Sequence, residues 1–193
     1  MISTILLAAG LSSRFGSPKP LVKFNNEHLI ILQQQLLLDA GVDEIIVVLG
    51  AFYSEIKPYV FNHKRIKLVY NKDYKFGQTS SFKAGLSTIS QKSSGIMLFP
   101  VDYPVIKKQT IINLMDVFKS EHPQILIPVF NGKKGHPPIF DISLKNDFER
   151  LNIKEGLNTV AWAHAAEIKI LDVDDQGVIN SFNTQDELKN LMR

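Results

Sequence analysis

A chain of 193 residues, 45% of them hydrophobic and 21% charged, has the size and make-up of one globular domain around a single core. Its 22 basic and 19 acidic residues leave a formal charge of +3 without any block of like charge, so the basic face of a nucleic-acid binder is not expected. The lack of cysteine excludes disulfides, thiolate metal sites and thiol nucleophiles, and the five histidines show neither the i, i+4 pairing nor the glutamate of a helical zinc site.

Met1 to Leu11 is apolar, but no Lys or Arg precedes Arg14, as the basic start of a secretory signal requires, and the run is too short to cross a bilayer. It reads as a buried first strand, Ile2 to Leu7, of a cytoplasmic protein. A helix is predicted from about Leu29 to Ala40, with Gly41 where a C-terminal cap belongs. Strands follow at Glu44 to Leu49 and Arg65 to Tyr70, then a helix at Gln78 to Ser90 and a strand at Gly95 to Phe99. Gln109 to Ser120 is helical, with Ile111, Ile112, Leu114, Met115 and Phe118 on one side, and Ile125 to Phe130 is the next strand. Asn131 to Gly135 is a basic, turn-rich break before His136-Pro137-Pro138-Ile139-Phe140, which reads as a hairpin or excursion and not a linker.

Several of these strands are continuous apolar runs, the pattern of strands buried on both faces of a parallel sheet. Their alternation with helices predicts an α/β fold: a three-layer, Rossmann-like, open and mostly parallel sheet, with helices on both faces and a small β excursion near residues 130–140. No repeat or boundary divides residues 1–193. Ligands of such sheets sit outside the carboxyl ends of the strands, so functional residues are sought there.

The first such place is Ala8-Ala9-Gly10-Leu11-Ser12-Ser13-Arg14-Phe15-Gly16-Ser17-Pro18-Lys19. Small residues admit a ligand close to the backbone, Gly10 and Gly16 permit sharp turns, and N–H groups in such a bend can face phosphate oxygens. Arg14 and Lys19 add two cations. The loop fits a polyphosphate, although neither G-x-G-x-x-G nor the GK[ST] of a P-loop is present, and a flexible loop with incidental charge has the same composition. Asp102, just past an apolar strand and before Pro104, is either a metal-holding carboxylate or the N-cap of the following helix. Asp172, Asp174 and Asp175 read as a solvated turn ending at Gly177.

LAAGLSSRFGSPK resembles the signature loop of the nucleotidyltransferases that include the molybdenum cofactor cytidylyl- and guanylyltransferases (MobA-like NTP transferases). Four further stretches resemble that family in order: NKDYKFGQTSSFKAGL at Asn71 to Leu86, VDYPVI at Val101 to Ile106, the GKKGHPPIF segment, and DVDDQGVINSFNTQDEL. The resemblance implies Mg2+-dependent transfer of a nucleotide to a phosphorylated acceptor. Leu7, Ala8, Ala9, Gly10, Lys19, Ser81 and Gly85 would bind the nucleotide; Lys19, Arg14 and Asp102 would stabilise the reacting phosphates; Asp102 and Asn183 would hold the metal. His136 and Lys134 would meet the acceptor. Read as residues alone, Ser81 is equally a helix-surface serine, Gly85 a packing glycine, Asn183 or Thr184 a helix cap, and His136 a structural hydrogen bonder. Ser181 and Gln185 depart from the family, which has an acidic residue and a proline there. LAAG with GHPPIF resembles the cytidylyl branch, implying CTP, molybdopterin as acceptor and a molybdoenzyme as partner. A cytidylyltransferase for an alcohol or sugar phosphate, or a non-catalytic nucleotide-binding accessory protein, are the alternatives.

Overall fold

The computed structural model describes residues 1–192. Along the chain it runs β1 (Ile2–Ala8), a short hairpin of β2 (Lys23–Phe24) and β3 (Glu27–His28), α1 (Leu29–Asp39), β4 (Glu44–Leu49), α2 (Tyr53–Ile56), β5 (Ile66–Tyr70), α3 (Gln78–Leu86), β6 (Gly95–Pro100) and α4 (Lys108–Glu121). The second half adds β7 (Ile125–Phe130), β8 (Lys133–Lys134), β9 (Ile139–Asp141), α5 (Lys145–Arg150), α6 (Asn158–Ala163), β10 (Ile168–Asp172) and α7 (Gln185–Leu191).

The main sheet has the order β10-β7-β9-β6-β1-β4-β5, with β8 attached to β7. β1 pairs in parallel with both β4 and β6, β4 with β5, and β10 with β7; only the contacts of β8 and β9 are antiparallel. The unbroken apolar strands owe their composition to burial on two sides. Along β1, Ile2, Leu6 and Ala8 join one core cluster while Ile5 and Leu7 join the other. The first cluster packs against α1 and α4 through Leu29, Leu37, Ile111 and Phe118, the second against α3, α5 and α6 through Phe82, Phe148 and Val160. The expected three layers are therefore present. No helix among the described residues is long and apolar enough to cross a membrane.

Gly41 ends α1 as expected: at φ +79° it lets its own N–H reach Leu38 O (3.1 Å) and that of Val42 reach Leu37 O (3.1 Å). α3 stops at Leu86, short of Ser90, because the hydroxyls of Ser87 and Thr88 turn back onto the carbonyls of Ala84 and Gly85. The excursion after β7 is more than a flap, since β9 enters the main sheet between β6 and β7. β10 and the short α5 and α6 lie in sequence that gives no periodic signal.

At the amino-terminal end of the sheet, the buried Glu44 accepts hydrogen bonds from Ser3 Oγ and Ser90 N and pairs with Lys67 Nζ at 2.6 Å. Burial alone would raise its pKa, but those partners together hold it below the usual glutamate value. The unfolded chain therefore takes up the proton first, and this stabilisation, complete above the ordinary glutamate pKa, is lost as pH falls through the lower folded value. Glu44→Gln should cost about 1–3 kcal/mol at pH 7 in urea unfolding. The gap from the parent should close below the ordinary glutamate pKa; a gap that stays constant down to pH 3 refutes the assignment.

Candidate active site

The carboxyl ends of β1, β4 and β6 come together because their registers are level: Ala8 lies beside Leu49, and Leu7 beside Pro100. The loop after β1 then turns at Ser12, whose φ is +51° and whose carbonyl accepts from Phe15 N and Gly16 N, and again at Gly16, φ +84°. Gly10 has no positive φ; a Cβ there would meet only open space, so what glycine provides at this position is room and not a turn. Phe15 is buried edge-on against Phe182 (5.3 Å), which pins the loop to a segment far along the chain. Pro18 and Pro20 flank Lys19, whose backbone N–H donates to Ser12 Oγ at 3.1 Å. Gly50 is needed where the end of β4 passes this loop, since a Cβ there would lie 2.8 Å from Ala9 O.

Leu7, Ala8, Ala9 and Gly10 form one wall of a cleft of about 390 Å³, and Arg14, Lys19, Ser81, Asp102 and Asn183 also line it. Lys19 Nζ lies 2.8 Å from Asp102 Oδ2 and 3.1 Å from Asn183 Oδ1, while Arg14 Nη2 donates to the same Asn183 oxygen at 2.9 Å. The ammonium also sits 5.2 Å over the Phe182 ring. Two cations from near the amino terminus, a carboxylate from mid-chain and an amide oxygen from near the carboxyl terminus thus meet in one cleft, able to receive a polyanion and the hard metal that accompanies it.

Asp102 is no helix cap, because α4 begins only at Lys108. The carboxylate that serves that helix end is Asp175, 2% exposed, which accepts from Lys107 N (2.8 Å), Thr110 Oγ1 (2.6 Å) and Gly177 N (2.9 Å). The reading of Asp175 as part of a solvated turn is therefore corrected. The cap of α7 is Thr184, in a capping box with Glu187, which leaves the Asn183 side chain to the cleft.

Ser81 lines the cleft but is already bonded to Asn71 Nδ2 (3.1 Å) and Gly77 O (3.3 Å). Gly85 lies one turn deeper, outside the cleft lining, where a Cβ would strike Ile5 Cγ2 at 2.7 Å and Val48 Cγ2 at 3.0 Å. Its small size lets α3 press onto the sheet.

His136 and Lys134 line a second cavity of about 370 Å³. Its walls are largely apolar (Leu98, Phe140, Leu157 and the exposed Trp162), and Gln78, at the start of α3, lines both cavities. The His136 ring lies 4.7 Å from that of Tyr103, and its Nδ1 is buried with no hydrogen-bond partner. Burial lowers its pKa against the opposing pull of Asp102, so at neutral pH it offers an uncharged imidazole and not a cation. Burial raises that of Tyr103, whose hydroxyl meets Ser181. Gln78, Tyr103 and Trp162 carry no sequence signal of their own; only folding brings them to the second cavity, where Gln78 borders the first as well.

A model of the MobA-like NTP transferase domain matches residues 4–168. The chain is 31% identical over 127 residues to a probable UDP-N-acetylglucosamine pyrophosphorylase of Acanthamoeba polyphaga mimivirus, a match to 63% of this chain and about half (49%) of that protein. It is 26% identical over 156 residues to the nicotine blue oxidoreductase of Paenarthrobacter nicotinovorans (75% of this chain, 72% of the other). With the molybdenum cofactor cytidylyltransferase of Escherichia coli it shares 27% over 143 residues (70% and 68%). Relatives with such different names mark a family and not one substrate. Among solved structures, Rv0371c of Mycobacterium tuberculosis H37Rv superposes with a TM-score of 0.84 at 22% identity, covering 99% of this chain and 97% of the other. That protein has also been crystallised in complex with manganese.

Proposed function

The chain belongs to the MobA-like NTP transferase family, and from that premise we propose that it transfers CMP from CTP to the phosphate of molybdopterin, releasing pyrophosphate. One observation carries the reading: Lys19, Arg14, Asp102 and Asn183 converge on a cleft walled by a small-residue loop, beside a second cavity that shares Gln78 with it. The triphosphate lies along Ala8 to Gly10, with Lys19 and Arg14 against its charge. Asp102 Oδ2 and Asn183 Oδ1 fit Mg2+, being hard oxygen donors within about 3 Å of a common point. Among the described residues no cluster of three His, Asp or Glu forms a dedicated metal cage, which suits an ion brought in on phosphates. Such an ion, when bound, neutralises charge that develops on the phosphate oxygens.

An acceptor phosphate oxygen attacks the α-phosphorus; the new P–O bond forms as the bond to the bridging oxygen breaks, and pyrophosphate leaves with that electron pair. The acceptor is already ionised at neutral pH, so no general base is required. The protein's work is to hold two anions in line and to stabilise the charge that moves between them. The apolar second cavity, with Trp162 at its rim and His136 uncharged, favours a flat acceptor body over a polyol, and so molybdopterin over a sugar phosphate. Lys134 remains beside it as a cation for the acceptor phosphate.

The test is pyrophosphate release with each of four nucleoside triphosphates and Mg2+, with no acceptor, with molybdopterin, and with a sugar phosphate. Release should require molybdopterin and be fastest with CTP. Release driven by the sugar phosphate removes the molybdopterin assignment, and no acceptor-dependent release with any nucleotide removes the transferase reading.

A further inference from the structure

The two oxygens that fit a metal ion are bonded to the ammonium of Lys19. We infer that in the free protein Lys19 holds the metal's place between Asp102 and Asn183, so that the divalent ion and the triphosphate enter together and neither fills the site alone. The inference rests on the nucleotide-binding reading of the cleft.

The same two oxygens would have to serve two cations. Lys19 Nζ lies 2.8 Å from Asp102 Oδ2 and 3.1 Å from Asn183 Oδ1. A divalent ion such as Mg2+ held by the same oxygens would lie about 2.0–2.1 Å from each, and so no more than about 5 Å from that nitrogen. Two positive centres at that separation repel, and water screens them poorly because Lys19 and Asp102 are partly sheltered, with side-chain exposures of 13% and 24%. The ammonium is held from other sides as well, by the Phe182 ring at 5.2 Å, while Arg14 occupies the other flank of Asn183 Oδ1. Metal alone has nothing to offer Lys19 in exchange. A triphosphate does: its oxygens lie along the adjoining loop, and the flexible lysine stem can swing the charge onto them and clear Asp102. Nucleotide therefore raises metal affinity, and by linkage metal raises nucleotide affinity to the same degree. Lys19 is thus a placeholder as well as a phosphate ligand, and the small neutral Asn183 is the joint that both states use.

The experiment is Mn2+ binding, read from the electron paramagnetic resonance of the free ion. The variants are the parent, Lys19→Met and Asp102→Asn, each with matching circular dichroism and melting temperature. Lys19→Met should bind Mn2+ alone at least ten-fold more tightly than the parent, and Asp102→Asn should bind it no better than the parent. Adding α,β-methylene-CTP, with the Mn2+ it binds in solution subtracted as a blank, should raise affinity at least ten-fold in the parent and little in Lys19→Met. Equal Mn2+ affinity of the parent and Lys19→Met without nucleotide overturns the inference, as does tight binding by Asp102→Asn. If Lys19→Met does not fold, the parent decides: Mn2+ affinity unchanged by a nucleotide that binds refutes the exchange. Equilibrium dialysis of the analogue at saturating Mn2+ keeps the two readings apart. No bound nucleotide refutes the function proposed above, while the comparison in metal alone still judges the placeholder.

Discussion

Lys19→Ala is expected to lower the turnover of nucleotidyl transfer by two to three orders of magnitude and to leave the fold in place. The magnitude follows from the kind of interaction removed: one charge delivered to the phosphates in a sheltered site contributes about 3–4 kcal/mol to a transition state in which charge moves between phosphates. Stability is spared because neither core cluster includes this side chain, whose polar partners among the described residues are Asp102 and Asn183, with the Phe182 ring 5.2 Å from its ammonium. The loss should appear in kcat more than in KM, since the ammonium is most valuable when the leaving pyrophosphate gathers charge. The measurement is steady-state pyrophosphate release with molybdopterin and CTP, beside a melting curve. A folded variant with turnover within ten-fold of the parent removes Lys19 from the reaction.

Asp175→Ala is expected to be the most damaging single change to stability outside the apolar core. The carboxylate is 2% exposed and receives three hydrogen bonds, from Lys107 N and Thr110 Oγ1 at the head of α4 and from Gly177 N within its own turn. It also sets a negative charge against the positive end of that helix. Removing it strands the buried donors of Thr110 and Gly177 and frees the part-buried Lys107 N–H, a loss of about 3 kcal/mol and roughly 6–12 °C in melting temperature for a chain of this size. Thermal unfolding followed by circular dichroism measures it. Asp175→Asn should recover part of the loss, because the amide oxygen still accepts from Lys107 N. A destabilisation under 1 kcal/mol contradicts the role.

These two carboxylates show what a sequence discloses and what it hides. Asp102 was legible because it follows a strand, and strand ends are where an α/β sheet keeps its chemistry. Asp175, in Asp174-Asp175-Gln176-Gly177, looks like any polar turn; its burial depends on partners 65 and 68 residues away. The central strands β1, β4, β6 and β7 announced themselves because burial on both faces demands apolar runs such as Ile5 to Ala8, Ile45 to Leu49 and Ile96 to Phe99. β10 did not, being a half-exposed edge strand with Lys169 between Ile168 and Ile170. α5 and α6, six residues each, are too short for a helical period to show. In the cleft, the loop and Lys19 followed from position and charge. The expectation for Asn183 came from resemblance to a family, and the structure brings it to Lys19 and Arg14. Gln78 and Tyr103 gave no hint, since one polar residue at the start of a helix is ordinary until the fold sets it between two cavities. Gly85 follows the packing alternative, because a helix can lie that close to a sheet only where the side chain is missing.

Asn183 belongs to a segment outside the sheet. It is fastened by Phe182 against Phe15, by the contact of Ser181 with Tyr103, and by the seven-residue α7. Such a segment can open locally at a fraction of the free energy needed to part the buried strands. Amide exchange in the 181–191 stretch therefore reports on the integrity of the cleft, while exchange in β1, β4 and β6 reports on the fold. A ligand that bridges Lys19, Asp102 and Asn183 slows the first far more than the second, which gives occupancy of the site a signature separate from global stability.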